Sequence, residues 1–245
     1  MAELVIDQLT KSFDGVEVLK GLSFHIEKDE FVAVLGPSGS GKSTLFHLIG
    51  GLYEPDAGTI LLDGEKINGQ KGAISYMPQS PSLLPWRTVL DNIVLGAELA
   101  GQKDREAAIP MMEKAGLKGY EKAYPHQLSG GMKQRAAFIR SLLSPQQLIC
   151  LDEPFSALDE FTRSEMQKWL LAIWHQNKRS ILFVTHNIEE AVFLADRILV
   201  LSEKPANVIA EFQVDFPRPR AESITMTEEF LQFKRDIYKV LKKQE

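Results

Sequence analysis

The stretch Gly36-Pro37-Ser38-Gly39-Ser40-Gly41-Lys42-Ser43 decides the fold of this chain. It follows the apolar run 31–35 and leads into residues 44–49, which predicts a buried strand, a glycine turn and the start of a helix. Glycines allow positive φ angles and let backbone N–H groups converge on an anion, and the helix start adds the positive end of its dipole. The stretch therefore predicts a phosphate-binding loop.

Two side chains of this loop point to a nucleoside triphosphate. Lys42 can reach the β- and γ-phosphates, and the hydroxyl of Ser43 is an oxygen ligand of the kind that Mg²⁺ prefers. Further along, the apolar run 148–151 ends in Asp152 and Glu153, which strand alternation sends to opposite sides. We expect Asp152 to hold the magnesium water shell and Glu153 to orient or deprotonate a water. The alternative is a strand end that meets solvent.

Three further side chains have two interpretations each. Phe13, at the end of the first strand, is either a half-buried sheet aromatic or a platform for adenine. Gln79 is either a turn residue or a neighbour of the magnesium and the attacking water. His186 follows the apolar run 180–185 and is either structural or a contact of the γ-phosphate. The second interpretation is favoured for His186, because ligands of such sheets collect at the carboxyl ends of strands.

A second anion site is predicted where Ser129 precedes Gly130 and Gly131. Ser129 is a natural N-cap for a helix that runs to about Leu143 and stops before Pro145, and the glycines leave N–H groups accessible. The alternative is a plain helix cap.

Residues 88–144 have helical periodicity with no convincing strand, which indicates a helical insertion within the α/β unit. Leu83, Leu84 and Trp86, just before it, form either the core of this insertion or a docking surface for a partner.

The C-terminal part begins with a proline-rich stretch, residues 217–220, which we interpret as a stiff linker. Thr225 with Glu228 predicts the cap of a terminal helix. One face of that helix carries Phe230, Phe233, Ile237 and Val240, and we expect this face to pack on its own domain.

The composition is that of a globular protein of 245 residues, long enough for one compact unit with lobes. A formal net charge of -5 argues against a protein that wraps nucleic acid. The only cysteine, Cys150, lies in an apolar run and is expected to be a buried hydrophobic residue. No apolar run approaches bilayer length, so we expect any membrane role to come through partners.

These motifs together resemble the nucleotide-binding subunits of ATP-binding cassette transporters over nearly the whole chain. The resemblance rests on the phosphate loop, Gln79, residues 128–135, residues 151–159 and His186, in the order and approximate spacing of the family. It implies an α/β fold: a P-loop NTPase (RecA-like) core with an antiparallel β subdomain and an inserted α-helical subdomain. The implied activity is hydrolysis of ATP with Mg²⁺, coupled to transport.

The resemblance also implies a domain division and partners. Residues 1–79 and 145–215 would form the core, 80–144 the helical subdomain, and 216–245 a linker and helix. Two copies would pack head to tail, so that Ser129 and Gly131 act in trans on the ATP of the partner. Transmembrane permease subunits, and indirectly a substrate-binding protein, would complete an assembly on the cytoplasmic face of the membrane, without nucleic acid.

A narrower resemblance, in residues 83–92, 152–159 and 217–220, is to the importer subfamily for nitrate, sulfonates and taurine. Importers of pyrimidine or thiamine precursors, and a cassette ATPase outside transport, are the alternatives. A small-molecule kinase is disfavoured, because it has no use for the Ser129–Gly131 segment. Cassette proteins of translation or DNA repair are disfavoured as well, because they usually carry paired cassettes, a long coiled coil or zinc cysteines, and this sequence shows none of these.

The complete set of predicted site residues has three parts. The catalytic residues are Glu153, His186, Gln79 and Lys42. The nucleotide-binding residues are Phe13, Gly36, Pro37, Ser38, Gly39, Ser40, Gly41, Lys42, Ser43, Thr44, Ser129, Gly130 and Gly131. The metal ligands are Ser43, Gln79 and Asp152.

Overall fold

The structure is a computed structural model that describes residues 2–102, 105–176 and 178–243. The strands are β1 (Ala2–Phe13), β2 (Val16–Glu27), β3 (Phe31–Leu35), β4 (Ala57–Leu62), β5 (Glu65–Lys66), β6 (Ser75–Met77), β7 (Leu148–Asp152), β8 (Ser180–Val184), β9 (Arg197–Leu201) and β10 (Val208–Gln213). The helices are α1 (Lys42–Ile49), α2 (Val89–Ile93), α3 (Leu95–Leu99), α4 (Ala108–Lys114), α5 (Gly130–Leu143), α6 (Glu160–Gln176), α7 (Ile188–Leu194) and α8 (Glu228–Lys242). Two short 3-10 turns, Pro125–Gln127 and Glu222–Met226, precede α5 and α8.

The chain divides into two compact units. The first comprises residues 1–73 and 174–245, and the second comprises residues 74–173. In the first unit, one sheet has the order β2-β1-β4-β5 with antiparallel pairs throughout. The second sheet of this unit contains β10-β9-β3-β8, in which β9 and β8 both run parallel to β3. The predicted antiparallel β part and parallel core are therefore both present.

The strands β3, β8 and β9 are buried along their whole length, as their apolar sequences require when both faces of a parallel sheet are covered. The hairpin between β1 and β2 turns at Asp14 and Gly15, both with positive φ, which suits the twist of a two-residue hairpin. Since β3 is central between β8 and β9, its carboxyl end, where the glycine loop begins, lies among parallel neighbours.

The second unit contains the parallel pair β6 and β7 together with α2 to α5 and most of α6. Cys150 is fully buried in β7, as predicted, and burial raises the pKa of its thiol. The expectation of helices without strands over residues 88–144 is confirmed for the part of that segment that the structure describes.

One expectation for the C-terminal part is wrong. The cap of α8 is Thr227, whose hydroxyl accepts the N–H of Phe230, whereas Thr225 lies in the preceding 3-10 turn. In residues 217–220, interpreted as a stiff linker, Arg220 is buried and hydrogen-bonded to backbone carbonyls. The apolar face of α8 is packed as expected, with Phe230 and Ile237 fully buried.

Candidate functional site

The glycine loop connects the end of β3 to the start of α1, as predicted. Its three glycines differ in φ angle and in the space that an added Cβ would have. Gly39 and Gly41 have φ angles of 78° and 107°, which L side chains rarely adopt. At Gly41 an added Cβ would also lie 2.9 Å from a methyl group of Val18. Gly36 does not use the positive φ that glycine allows. A Cβ at Gly36 would lie 3.2 Å from Leu201 and from the hydroxyl of Ser40, so a side chain there would require these neighbours to shift by a few tenths of an ångström.

Lys42 is buried at the base of the loop. Its ammonium group donates hydrogen bonds to the carbonyl oxygens of Gly36, at 2.8 Å, and Pro37, at 2.7 Å. The ammonium therefore lies inside the curve of the loop, where an anion on the loop would meet it. Ser43 and Ser38 are exposed, and Ser40 is buried with its hydroxyl 3.4 Å from the ammonium.

The first unit brings His186 to the same edge of the sheet as the loop. β3 and β8 are parallel neighbours in register at Val34 and Val184, and the loop and His186 follow their carboxyl ends. The side chain of His186 is exposed. This arrangement is the one that ligands use in open parallel sheets.

The second unit places Asp152 at the carboxyl end of β7, buried beside Tyr76 of β6. Burial raises the pKa of the Tyr76 phenol well above its ordinary range, and the nearby Asp152, with which it shares a hydrogen bond, raises it further. The phenol thus stays neutral and donates a hydrogen bond to the Asp152 carboxylate. Tyr76 fixes a carboxylate that the sequence predicts to be a magnesium ligand.

The prediction that strand alternation directs the Glu153 side chain is wrong. β7 ends at Asp152, and Glu153 has a φ of 48°, so the turn and not strand alternation sets the direction of its side chain. A left-handed conformation is strained for a residue with a side chain and persists only where the surroundings impose it. Here the Glu153 carbonyl accepts the Ser156 N–H at 3.2 Å, the Ser156 hydroxyl at 2.9 Å and the Gln134 amide at 3.4 Å. These three donors hold the strained turn.

Gln79 and Glu153 are brought together, as the paired strands β6 and β7 require. The amide of Gln79 donates to the Glu153 carboxylate at 3.0 Å, although 74 residues separate them. Gln79 is exposed, so the amide orients this carboxylate from the solvent side. The interpretation of Gln79 as a turn residue alone does not account for this contact.

Phe13 lies at the exposed end of β1, with 37% of its surface accessible. Its ring makes an edge contact with Tyr53 at 5.3 Å between centroids, and Tyr53 makes another with His47. The ammonium of Lys11 lies 5.4 Å from the Phe13 ring centroid. Both interpretations of Phe13 fit this position.

Ser129 caps α5 as predicted, since its hydroxyl accepts the N–H of Met132 at 3.2 Å. Gly130 and Gly131 have ordinary helical φ angles. An added Cβ would meet no atom within 4 Å at Gly130, and only ordinary contacts with Leu158 and Ala157 at Gly131. Glycine is a poorer helix former than alanine. Packing against the described residues explains neither glycine.

Residues 81–88 form a loop that presents Trp86, of which 72% is exposed. Asn92 is fully buried under the loop; its side chain accepts the Leu84 N–H and donates to the carbonyls of Leu84, Arg87 and Thr88. Arg140 of α5 donates to two further carbonyls of the loop. We call residues 81–88 the Trp86 platform. Leu83 and Leu84 are partly buried, so only Trp86 keeps the exposed character of a docking residue.

Sequence reasoning missed Tyr53, Tyr76 and Gln134. Tyr53 lies 40 residues from Phe13 along the chain, and no local pattern pairs them. Tyr76 is opposite Cys150 in the register of β6 and β7, which only the pairing reveals. Gln134 stands in the quoted stretch 128–135, yet its contact with Glu153 depends on how α5 packs.

Among the described residues, no group of three His, Cys, Asp or Glu side chains could hold a metal ion alone. Within the same ranges, no helix is both long and apolar enough to cross a membrane.

Comparison with known proteins identifies the family. Residues 19–156 match the family described as ABC transporter. The chain is 43% identical, over 91% of its length and 90% of the relative, to the formylaminopyrimidine import ATP-binding protein of Halalkalibacterium halodurans. It is 41% identical, over 89% of its length and 88% of the relative, to the aliphatic sulfonates import ATP-binding protein of Bacillus cereus.

A solved structure shares the fold. It is a dimeric ATP-binding cassette in a post-hydrolysis state bound to ADP and phosphate. The TM-score is 0.77 at 27% sequence identity, and the match covers 87% of this chain and 100% of the solved chain. The expected α/β cassette fold is thereby confirmed. With the glycine loop and the Ser129 cap each in the expected local structure, and with Asp152 at the end of its strand, the chain belongs to the ABC transporter family, as one of its ATP-binding proteins.

Proposed function

We propose that this chain hydrolyses ATP to drive the uptake of a small solute, of the nitrate, sulfonate and taurine type, through membrane-embedded subunits. The observation that carries the proposal is Glu153. A carboxylate in a strained turn, held by three donors to its carbonyl and by Gln79 at its side chain, has the fixed orientation that a general base needs.

The phosphate-binding residues of this proposal lie in the first unit. The loop from Gly36 to Ser43, with Thr44, binds the phosphates through N–H groups and through Lys42, which exchanges its loop carbonyls for phosphate oxygens. Phe13 stacks on the adenine.

Magnesium, once bound, would neutralise developing charge on the phosphates. Ser43, Gln79 and Asp152 would hold the ion through their side-chain oxygens. The hydroxyl and the carboxylate fit this role, because hard cations prefer oxygen ligands and Asp152 is already fixed by Tyr76.

Hydrolysis then needs a positioned water. Glu153 takes a proton from the water as it attacks the γ-phosphate, and the products are ADP and phosphate. His186 contacts the γ-phosphate and stabilises the charge that develops there. Lys42 balances the charge on the leaving side.

The Ser129 cap supports a head-to-tail pair of chains. Gly130 and Gly131 are poor helix formers whose presence no contact with the described residues explains, whereas a phosphate delivered by a second copy would need their open surface. In the pair, ATP joins two surfaces and its hydrolysis releases them.

The Trp86 platform supports contact with membrane subunits. An exposed tryptophan on a loop fixed from beneath by Asn92 and Arg140 has the rigid aromatic character of interface anchors. The chain would thus lie peripherally on the cytoplasmic face, with a substrate-binding protein delivering the solute to the membrane subunits and with no role for nucleic acid. The domain division at residues 79, 144 and 215 belongs to the same proposal.

The solute class rests on the relatives, and an importer of pyrimidine precursors is the second candidate because one relative at 43% identity is named for that cargo. The test is the ATPase rate of the chain purified with its membrane subunits and binding protein, with taurine, alkyl sulfonates, nitrate and pyrimidine precursors added in turn. Stimulation by a sulfonate supports the proposal, and stimulation by a pyrimidine precursor selects the alternative. Intact basal hydrolysis with no stimulation by any solute would discard the whole substrate assignment.

A further inference from the structure

The helix α7 begins two residues after His186 and has only seven residues. Short isolated helices are marginal, because each end leaves unpaired backbone groups and few internal bonds compensate them. The conformation of α7 therefore depends on what pairs with its two ends. Since α7 is about 10 Å long, its far end is close enough to affect the turn that carries His186.

Arginine side chains pair with the C-terminal end of α7. The Ala191 carbonyl accepts the N–H of Ala195. The carbonyls of the last three helical residues, Val192, Phe193 and Leu194, therefore need donors from outside the helix. Arg220 donates to Val192 and Phe193, each at 3.1 Å. Arg218 donates to Leu194 at 2.6 Å.

Arg220 is buried, with 5% of its surface exposed, and it also donates to Ala195, Val214 and Phe216. Burial and, to a smaller extent, the neighbouring charge of Arg218 lower the pKa of its guanidinium to about 10. The group is still charged at neutral pH, and a cation at a helix C-terminus is favourable to the helix dipole.

The N-terminal end of α7 is paired as well. The Asn187 side chain accepts the N–H groups of Glu189 and Glu190. The Thr185 hydroxyl donates to the Glu190 carboxylate at 2.6 Å and accepts the Asn187 N–H at 3.0 Å. His186 lies between Thr185 and Asn187, so its backbone is held between β8 and the first turn of α7.

The segment that carries the two arginines is itself anchored. The ring of Phe216 packs on Phe230 and Phe233 of α8, at 5.6 and 5.7 Å between centroids. Arg218 forms an ion pair with Asp196 at 2.7 Å, and Asp196 also accepts the N–H of Phe31 at the start of β3. The strap formed by residues 214–220 thus ties α7 to the sheet and to α8.

We propose that Arg220, together with Arg218, is a positioning residue for His186: the strap fixes the C-terminal end of α7, and α7 in turn fixes the turn that presents His186 to the γ-phosphate. The inference rests on the proposed function, because it requires that His186 contact the γ-phosphate. Without Arg220, the carbonyls of Val192 and Phe193 lose their donors, the last turn of α7 loosens, and the histidine loses its fixed direction.

The test measures how strongly the full chain prefers a nucleotide with a γ-phosphate. Calorimetric dissociation constants for ADP and for the non-hydrolysed analogue AMP-PNP give this preference as a ratio. His186→Ala sets the benchmark, with the preference expected to fall roughly 10-fold. Arg220→Met should lower the preference several-fold while the ADP constant stays within about 2-fold, and Arg220→Lys should restore part of it. Arg220→Met added to His186→Ala should cause no further fall, because both act through one contact.

A matched control is Arg235→Met, since Arg235 is exposed on α8 and lies 3.6 Å from Glu228 of the same helix. Unchanged ADP affinity shows that a variant is folded, and if Arg220→Met does not fold, the less buried Arg218→Met replaces it with the same expectation. A preserved preference in Arg220→Met or Arg218→Met, with a fall in His186→Ala, would overturn the inference and leave the proposed function standing. A preserved preference in His186→Ala would overturn the proposed role of His186 and the inference with it.

Discussion

The substitution Asn92→Asp tests whether the Trp86 platform is held by one buried amide. The Asn92 oxygen accepts the Leu84 N–H at 2.7 Å, and its amide nitrogen donates to the carbonyls of Leu84, Arg87 and Thr88 at 3.0, 3.2 and 2.9 Å. An aspartate retains the first bond and loses the others. Because an amide has two N–H groups, the loss amounts to two hydrogen bonds shared among three carbonyls.

The expected cost follows from those contacts. Two net hydrogen bonds contribute about 2 kcal/mol, and a carboxylate facing three carbonyls must either hold a buried charge or take up a proton, which adds to the cost. We expect the free energy of unfolding to fall by about 2 to 4 kcal/mol. Urea denaturation followed by tryptophan fluorescence measures this, and the fall should be larger at about pH 8 than at about pH 5, because the ionised form is disfavoured.

The matched control is Asn207→Asp. Asn207 is exposed; its oxygen accepts the Val208 N–H at 2.8 Å, and its nitrogen makes only a long bond of 3.4 Å to Lys20. That variant should change stability by less than about 0.5 kcal/mol. If Asn92→Asp costs no more than its control, the platform does not depend on Asn92, and the rigid-anchor argument for Trp86 loses its basis.

Three other predictions concern the base, the docking residue and a buried acid. Glu153→Gln should lower ATP turnover roughly 100-fold or more while sparing nucleotide binding, and should form an ATP-dependent dimer on size-exclusion chromatography; near-normal turnover would remove the role of general base. Trp86→Ala should leave the basal ATPase of the isolated chain unchanged but reduce co-purification with membrane subunits, whereas Met226→Ala, also highly exposed, should not; equal recovery of the two variants would contradict docking through Trp86. Glu3 is buried with one carboxylate oxygen lacking a hydrogen bond, and burial raises its pKa. Because folding favours the protonated carboxyl of Glu3, stability is lost as pH rises through the raised pKa. Glu3→Gln should therefore have a higher melting temperature than the unchanged protein at about pH 8 but not at about pH 4. Parallel melting-temperature profiles of the two proteins against pH would contradict this.

Much of the site could be predicted because its motifs are local. The glycine loop, the Ser129 cap and Asp152 at the end of β7 depend on residues adjacent in sequence, and each lies in the expected strand, turn or helix start. The errors arose where the local rule had a competitor. At Glu153 a turn held by Ser156 and Gln134 replaces strand alternation, and at the start of α8 Thr227 takes the capping role two residues after the predicted threonine.

The sequence by itself determined the family, the phosphate loop and the identity of the chemical groups, because backbone conformation in a loop or cap follows from a few neighbouring residues. Only the tertiary structure decided which distant groups meet: Gln79 with Glu153, Tyr76 with Asp152, Phe13 with Tyr53, and the two arginines of the strap with the end of α7. Such contacts depend on strand register and on the packing of helices, which are set by the burial of the whole core and not by any short stretch of the chain.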